Sequence, residues 1–350
     1  MEQEAAHTSE YIMADFHSRR FDSIQALRGI SAIFIVLEHV RFLNCGAFGV
    51  DIFFCISGFM IMLSTQRDAS HFFGKRLIRI LPFYYLMTLV TFLALILMPE
   101  LFVQTKANPV FLAKSLLFIP FDIGGGTLQP LMRVGWTVNC EIFFYLIFWL
   151  AMKLNHRYRG LICCCILLLL IGLAQVLSVD FAPLTFYGDP VMADFLLGIL
   201  CYYIAKGIFK LHSTNKLPGF LSVFCLLLTV VCFIYLIATK PGIDILGFRR
   251  PLLWGIPAAI IVLSTFTVGL FLKMPHSLVK LGDISFSLYL VHYYPVVLLD
   301  RMIFDFDSCT PFSMLGVALA LIISVILALE SGTLIEKKLT GWLRRTLLSS

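Results

Sequence analysis

About ten stretches of roughly 17–25 mostly apolar residues follow one another along this chain, near 26–43, 46–66, 80–98, 136–152, 160–179, 190–206, 218–239, 251–272, 281–303 and 312–336. Runs of that length suit helices that cross a bilayer. Composition excludes an ordinary soluble domain: 59% of the residues are hydrophobic and 14% are charged, whereas soluble domains carry about 25% charge. The mean hydropathy of +0.91 points the same way. The expected class is therefore all-α, a polytopic integral membrane helical bundle of about ten transmembrane helices.

Residues 1–20 are polar and lack the apolar core of a signal peptide, so no cleavage is expected and the leader is read as disordered. Residues 21–340 form the transmembrane domain and 341–350 a short basic tail. If the N-terminus is cytoplasmic, most of the 27 Lys and Arg residues fall on the cytoplasmic side, among them Arg19, Arg20, Lys75, Arg76, Arg79, Lys337 and Lys338. That bias puts both termini in the cytoplasm. It also accounts for the net charge of +6 without nucleic-acid binding. The longest connection, about 99–135, contains Pro99, Pro109, Pro120, Gly124-Gly125-Gly126 and Pro130, and its apolar middle VFLAKSLLFIP is too short to span. It either borders a binding site or serves as a plain connector. The ten cysteines include Cys163-Cys164-Cys165 but no CxxC, so no metal site is expected. Cys45 and Cys309 both map outside and are the candidates for pairing.

Charge hidden in the apolar runs marks the chemistry. The stretch from Phe21 to Gln66 carries Arg28, Glu38, His39 and Asp51, and an ionisable group inside a span costs several kcal/mol. Arg28 and His39 are eleven residues apart, close to three helical turns, so one continuous helix would set them on nearly one face about 16 Å apart. A guanidinium suits a phosphate and a histidine suits proton transfer. Glu38 lies about 100° round the helix from His39, with Arg41 as its expected partner. Lys75, Arg76 and Arg79 form a basic cluster, Asp51 and Glu141 are intramembrane carboxylates, and Ser285, Ser287, Tyr289 and His292 give the ninth run a polar stripe. Each has a plainer reading as well: a topology-setting cluster, an ion pair or an interhelical hydrogen bond. Glu336 is read as half of a salt bridge.

Taken in order, Arg-x10-His, GVDIFFCISGFMI, KRLIRILPFYYL at 75–86, GWTVNCEIFFYL at 135–146, LGDISFSLYLVHYYP at 281–295 and a closing Glu336-Lys-Lys make this chain resemble the acyltransferase-3 family of membrane-bound O-acyltransferases. RPLLWGIPAAIIV at 250–262 further resembles its exopolysaccharide and O-antigen acetylating members, and the expected type lacks a fused extracytoplasmic hydrolase-like domain. The resemblance implies an acyl-CoA donor, most simply acetyl-CoA, with its phosphates near Arg28, Lys75, Arg76 and Arg79. It makes His39 a general base for the acceptor hydroxyl or an acyl carrier. Asp51 and Glu141 join His39 as catalytic candidates, and Trp136, Ser285 and His292 as acceptor-binding ones. The implied acceptor is a cell-surface glycan or lipid-linked oligosaccharide, and the setting a bacterial inner membrane. Ten spans with buried Asp, Glu and His also fit a proton-coupled transporter, although no inverted repeat is visible. A non-catalytic polysaccharide export factor is the third reading.

Overall fold

The computed structural model describes residues 2–101, 105–124, 126–177, 181–239 and 247–347. Among them there is no β-strand, only an isolated bridge between Asp122 and Leu128. Among the described residues eight helical segments are long and apolar enough to cross a membrane: Gly49–Gln66, Phe72–Leu97, Arg133–Leu154, Arg159–Leu177, Pro190–Ser213, Phe220–Ala238, Pro251–Phe271 and Pro311–Leu347. The other two expected spans take different forms. The first is a 17-residue helix, Asp22–Glu38. The ninth is divided into His276–Asp283, Ser285–Val291 and Tyr293–Met302. Pro295 explains the second break, because it has no N–H to donate to the carbonyl four residues back, that of Val291.

The chain forms two compact units. One comprises Met1–Glu38, Asn44–Ser70 and Ala193–Ser285, and the other His39–Leu43, His71–Met192 and Phe286–Ser350. In the first unit the helices Gly49–Arg67 and Ala193–Ser213 pack through glycines. A Cβ on Gly58 would lie 2.1 Å from the carbonyl oxygen of Phe195, and one on Gly198 would lie 2.1 Å from that of Cys55. Small residues thus let two backbones touch, which is how helices associate where lipid removes the hydrophobic drive. The polar leader is a helix, Glu2–Ser18, where the sequence reading expected disorder. Ile12 and Phe16, four apart, give it one apolar stripe. Phe16 is fully buried, with ring centroids 5.6 Å from Phe21 and 5.1 Å from Phe209.

In the second unit the 99–135 connection is docked rather than loose. Its helix Pro109–Leu116 is capped by Asn108, whose side chain accepts from the Val110 N–H. Tyr84 Oη donates to the Ser115 carbonyl at 3.0 Å, and the Leu131 N–H donates to Ser115 Oγ at 2.9 Å. Leu95, Phe121, Ile123 and Leu131 close a small apolar core beneath it. Gly124 and Gly126 have positive φ, with Asp122 accepting from both backbone N–H groups; Gly125 lies outside the described residues. None of the ten cysteines is in a disulfide.

Candidate functional site

The helix carrying Arg28 stops one residue short of His39. In the first unit the Glu38 carboxylate turns back and accepts the N–H groups of Gly46 and Ala47 at 2.7 and 2.9 Å. Gly46 is required there, because a Cβ would sit 1.7 Å from the Phe34 carbonyl oxygen. Glu38 therefore holds a loop and not Arg41, which corrects the pairing expected from sequence. Arg41 instead meets Asp300, Asp305 and Asp307 in the second unit. His39 begins the His39–Leu43 segment of that unit, so the single-helix alignment with Arg28 ends before it reaches the histidine.

His39 Nδ1 lies 3.3 Å from Nε2 of His292, with the rings roughly perpendicular and Tyr293 packed edge-on against His39. His292 is fully buried, and its Nδ1 lies 3.2 Å from the carbonyl oxygen of Leu288. A carbonyl can only accept, so His292 Nδ1 carries the proton. In the neutral ring Nε2 is then the acceptor, and His39 Nδ1–H must donate to it. The lone pair of neutral His39 consequently resides on Nε2. A hydrogen bond to one ring nitrogen in this way fixes the tautomer of an imidazole. Tyr289 extends the array, its ring centroid 5.8 Å from that of His292. Its hydroxyl donates to the Val134 carbonyl at 2.7 Å and accepts from Thr137 Oγ1 at 2.6 Å.

The other sequence candidates separate. Asp51, fully buried in the first unit, receives a bidentate pair from Arg250, with Nε–Oδ1 and Nη2–Oδ2 both at 3.0 Å. The Arg250 guanidinium also lies over the Trp254 ring. Both carboxylate oxygens are occupied by one guanidinium, so the geometry favours the ion-pair reading of Asp51 over the catalytic one. In the sequence Arg250 is only the first residue of the RPLLWGIPAAIIV stretch, and nothing there pairs it with Asp51. Glu141 accepts a hydrogen bond from Tyr145, over whose ring Arg76 lies at 5.3 Å. Arg76 also interacts electrostatically with Glu141, which groups that residue with the basic cluster and not apart from it.

Arg344, from the C-terminal helix Thr340–Leu347, acts electrostatically on both Arg76 and Arg79. That helix packs on Phe72–Leu97. Folding thus brings three like charges within electrostatic reach of one another, with Glu141 beside Arg76. Sequence reading missed Arg344 because only packing brings the C-terminal helix to residues 76–79. Lys75 is half-buried beside them, and Arg28 is half-buried in the first unit. Trp136 opens the helix Trp136–Leu154 and is half-buried. Ser285 belongs to the first unit and His292 to the second, and the buried Ser285 hydroxyl has no hydrogen-bond partner among the described residues. Ser287 donates to Glu336, a hydroxyl partner where a basic one was expected. Among the described residues no group of three or more His, Cys, Asp or Glu side chains is arranged to hold a metal.

Comparison with known proteins bears on this arrangement. A sequence model of the acyltransferase-3 family, described as an acyltransferase domain, matches residues 21–329. The chain is 31% identical over 161 residues to the exopolysaccharide production protein ExoZ of Rhizobium meliloti (strain 1021), covering 44% of this chain and 50% of ExoZ. It is 28% identical over 319 residues to the O-acetyltransferase OatA of Staphylococcus aureus (strain NCTC 8325 / PS 47), covering 81% of this chain and 51% of OatA. The chain thus spans about half the length of these curated relatives. No solved structure matches it.

Proposed function

Because this chain belongs to the acyltransferase-3 family, we propose that it is a membrane O-acyltransferase carrying an acyl group, most simply acetyl, from acyl-CoA to a hydroxyl of a cell-surface polysaccharide or its lipid-linked precursor. The observation that carries the reading is the His39–His292 contact, which leaves the lone pair of a neutral imidazole on one defined nitrogen. His39 Nε2 takes the proton from the acceptor hydroxyl as its oxygen attacks the thioester carbonyl. The C–S bond then breaks, and the departing thiolate of coenzyme A takes that proton from the imidazolium. Arg76, Arg79, Arg344 and Lys75 supply the charge to hold the donor's phosphates. Arg28 is assigned to the donor on the family motif alone. Trp136 is assigned to the acceptor, and the docked 99–135 connection to bordering it. The names of ExoZ and OatA support an acetylated glycan as acceptor. The proposed setting is a bacterial inner membrane, with both termini cytoplasmic.

The test is acetyl transfer from radiolabelled acetyl-CoA by purified protein in liposomes, with glycan acceptors and longer acyl donors run in parallel. His39→Ala is expected to abolish transfer and thioester cleavage while retaining coenzyme A binding, and Arg76→Ala and Arg79→Ala to weaken that binding. Acyl label on His39 in the absence of acceptor, discharged by hydroxylamine, would replace direct transfer by an acyl-histidine relay. If wild type consumes no acyl donor, the enzyme reading fails and the carrier and export-factor readings replace it.

A further inference from the structure

His39 stands in a turn, outside any helix, so helical hydrogen bonding does not fix where its imidazole points. A base that must meet a reacting hydroxyl needs placing to within a fraction of an ångström. Within the second unit, three rungs tie residues 39–42 to residues 292–307, both segments running the same way. His39 meets His292 at 3.3 Å. Arg41 follows, its Nη2 2.9 Å from Asp300 Oδ1 and its Nε 2.8 Å from Asp307, with Asp305 at 3.9 Å. The Phe42 N–H then donates to the Phe306 carbonyl at 2.9 Å.

Asp300 is the hub of this arrangement. Its side chain is 13% exposed, whereas those of Asp305 and Asp307 are 65% and 64% exposed. The same Oδ1 that receives Arg41 also accepts the Phe306 N–H at 3.0 Å. One oxygen therefore fixes both the guanidinium two residues beyond His39 and the loop that receives Phe42. Asp300 also lies on the Tyr293–Met302 helix, which starts at the residue after His292. A shift of Arg41 along that helix moves His39 away from the ring that sets its tautomer. The outer contacts to Asp305 and Asp307 are solvent-exposed, where screening leaves an ion pair little hold; the rung at Asp300 is the one that places the segment.

We infer that Arg41 is a positioning residue for His39, acting through Asp300. This rests on His39 being the base. It holds the imidazole and leaves donor binding alone, so its loss appears in turnover and not in donor affinity.

The experiment uses full-length protein in liposomes with acetyl-CoA and compares Arg41→Ala, Arg41→Lys, Asp300→Asn and His39→Ala by kcat, donor KM and melting temperature. Arg41→Ala and Asp300→Asn are expected to lower kcat about 10- to 100-fold, with donor KM within about twofold of wild type. Arg41→Lys recovers part of the loss, since an ammonium satisfies Asp300 but not the fork to Asp307. Added guanidinium ion raises kcat of Arg41→Ala and leaves His39→Ala inactive. The inference is overturned by wild-type turnover in Arg41→Ala, or by a loss carried in donor KM. It is also overturned if Arg41→Ala loses fold and activity together while the well-folded Arg41→Lys keeps wild-type turnover with Asp300→Asn. A His39→Ala protein with full activity sinks the base assignment itself, an outcome that the first arm alone cannot produce.

Discussion

Arg250→Ala strands a carboxylate in an apolar helix. Asp51 is completely buried and its two oxygens are each 3.0 Å from an Arg250 nitrogen. Removing one partner of a buried, doubly hydrogen-bonded pair costs about 3–5 kcal/mol, because the remaining charge has neither counterion nor water. Neutralisation sets a similar ceiling: protonating an ordinary aspartate at pH 7 costs about 4 kcal/mol. Removing both charges relieves the penalty, so Asp51→Ala/Arg250→Ala should be more stable than Arg250→Ala by about 2 kcal/mol, and the non-additivity across the cycle equals that gain plus the cost of Asp51→Ala alone. Unfolding by SDS titration in bicelles measures all four proteins. An Arg250→Ala protein within about 0.5 kcal/mol of wild type, or single effects that simply add, would refute the reasoning. Turnover gives a second check. Folded Asp51→Asn should keep activity within about tenfold of wild type, and a loss of a thousandfold would return Asp51 to the chemistry.

Other perturbations address separate parts of the molecule. His292→Ala removes the acceptor for His39 Nδ1–H and should lower kcat by about 10²- to 10³-fold at nearly constant donor KM; steady-state kinetics across both substrates read the split. Arg344→Ala should raise donor KM by about 3- to 10-fold with kcat nearly unchanged, seen equally in coenzyme A binding by calorimetry. A matching loss of binding to vesicles of anionic phospholipid, with donor KM intact, would assign the cluster to lipid headgroups instead. Gly198→Ala drives a Cβ to 2.1 Å from the Cys55 carbonyl oxygen, so the helices must part at a cost of about 1–3 kcal/mol or more, visible as a lowered melting temperature in detergent.

Much of the fold was written in the order of residues. Bilayer thickness imposes a length on apolar runs, and eight of the runs fall on the eight long apolar helical segments among the described residues, although Phe72–Leu97 begins well before the run at 80–98 and Pro311–Leu347 extends well past the one at 312–336. The departures have local causes that packing reveals. Pro295 divides the ninth run, and the carboxylate of Glu38 caps the loop that follows the first. His39 and His292 stand out without any structure because an ionisable group in an apolar run is conspicuous, and Arg76 and Arg79 because they cluster with Lys75 just before one.

Pairing was not legible, since hydrogen bonds and ion pairs join residues far apart in the chain. Sequence offered Asp51 to chemistry, and the fold hands it to Arg250, 199 residues away. Glu38 and Arg41, three apart, looked like partners, yet each is drawn to a different unit by groups that only the fold brings near. Arg344 had no motif to announce it and acquires its meaning from Arg76 and Arg79. The chain alone therefore determined that charge and a histidine would be buried in a helical membrane bundle. The tertiary structure decided which charges cancel and which nitrogen of His39 carries the lone pair, because both depend on separations of a few ångströms that linear spacing does not encode.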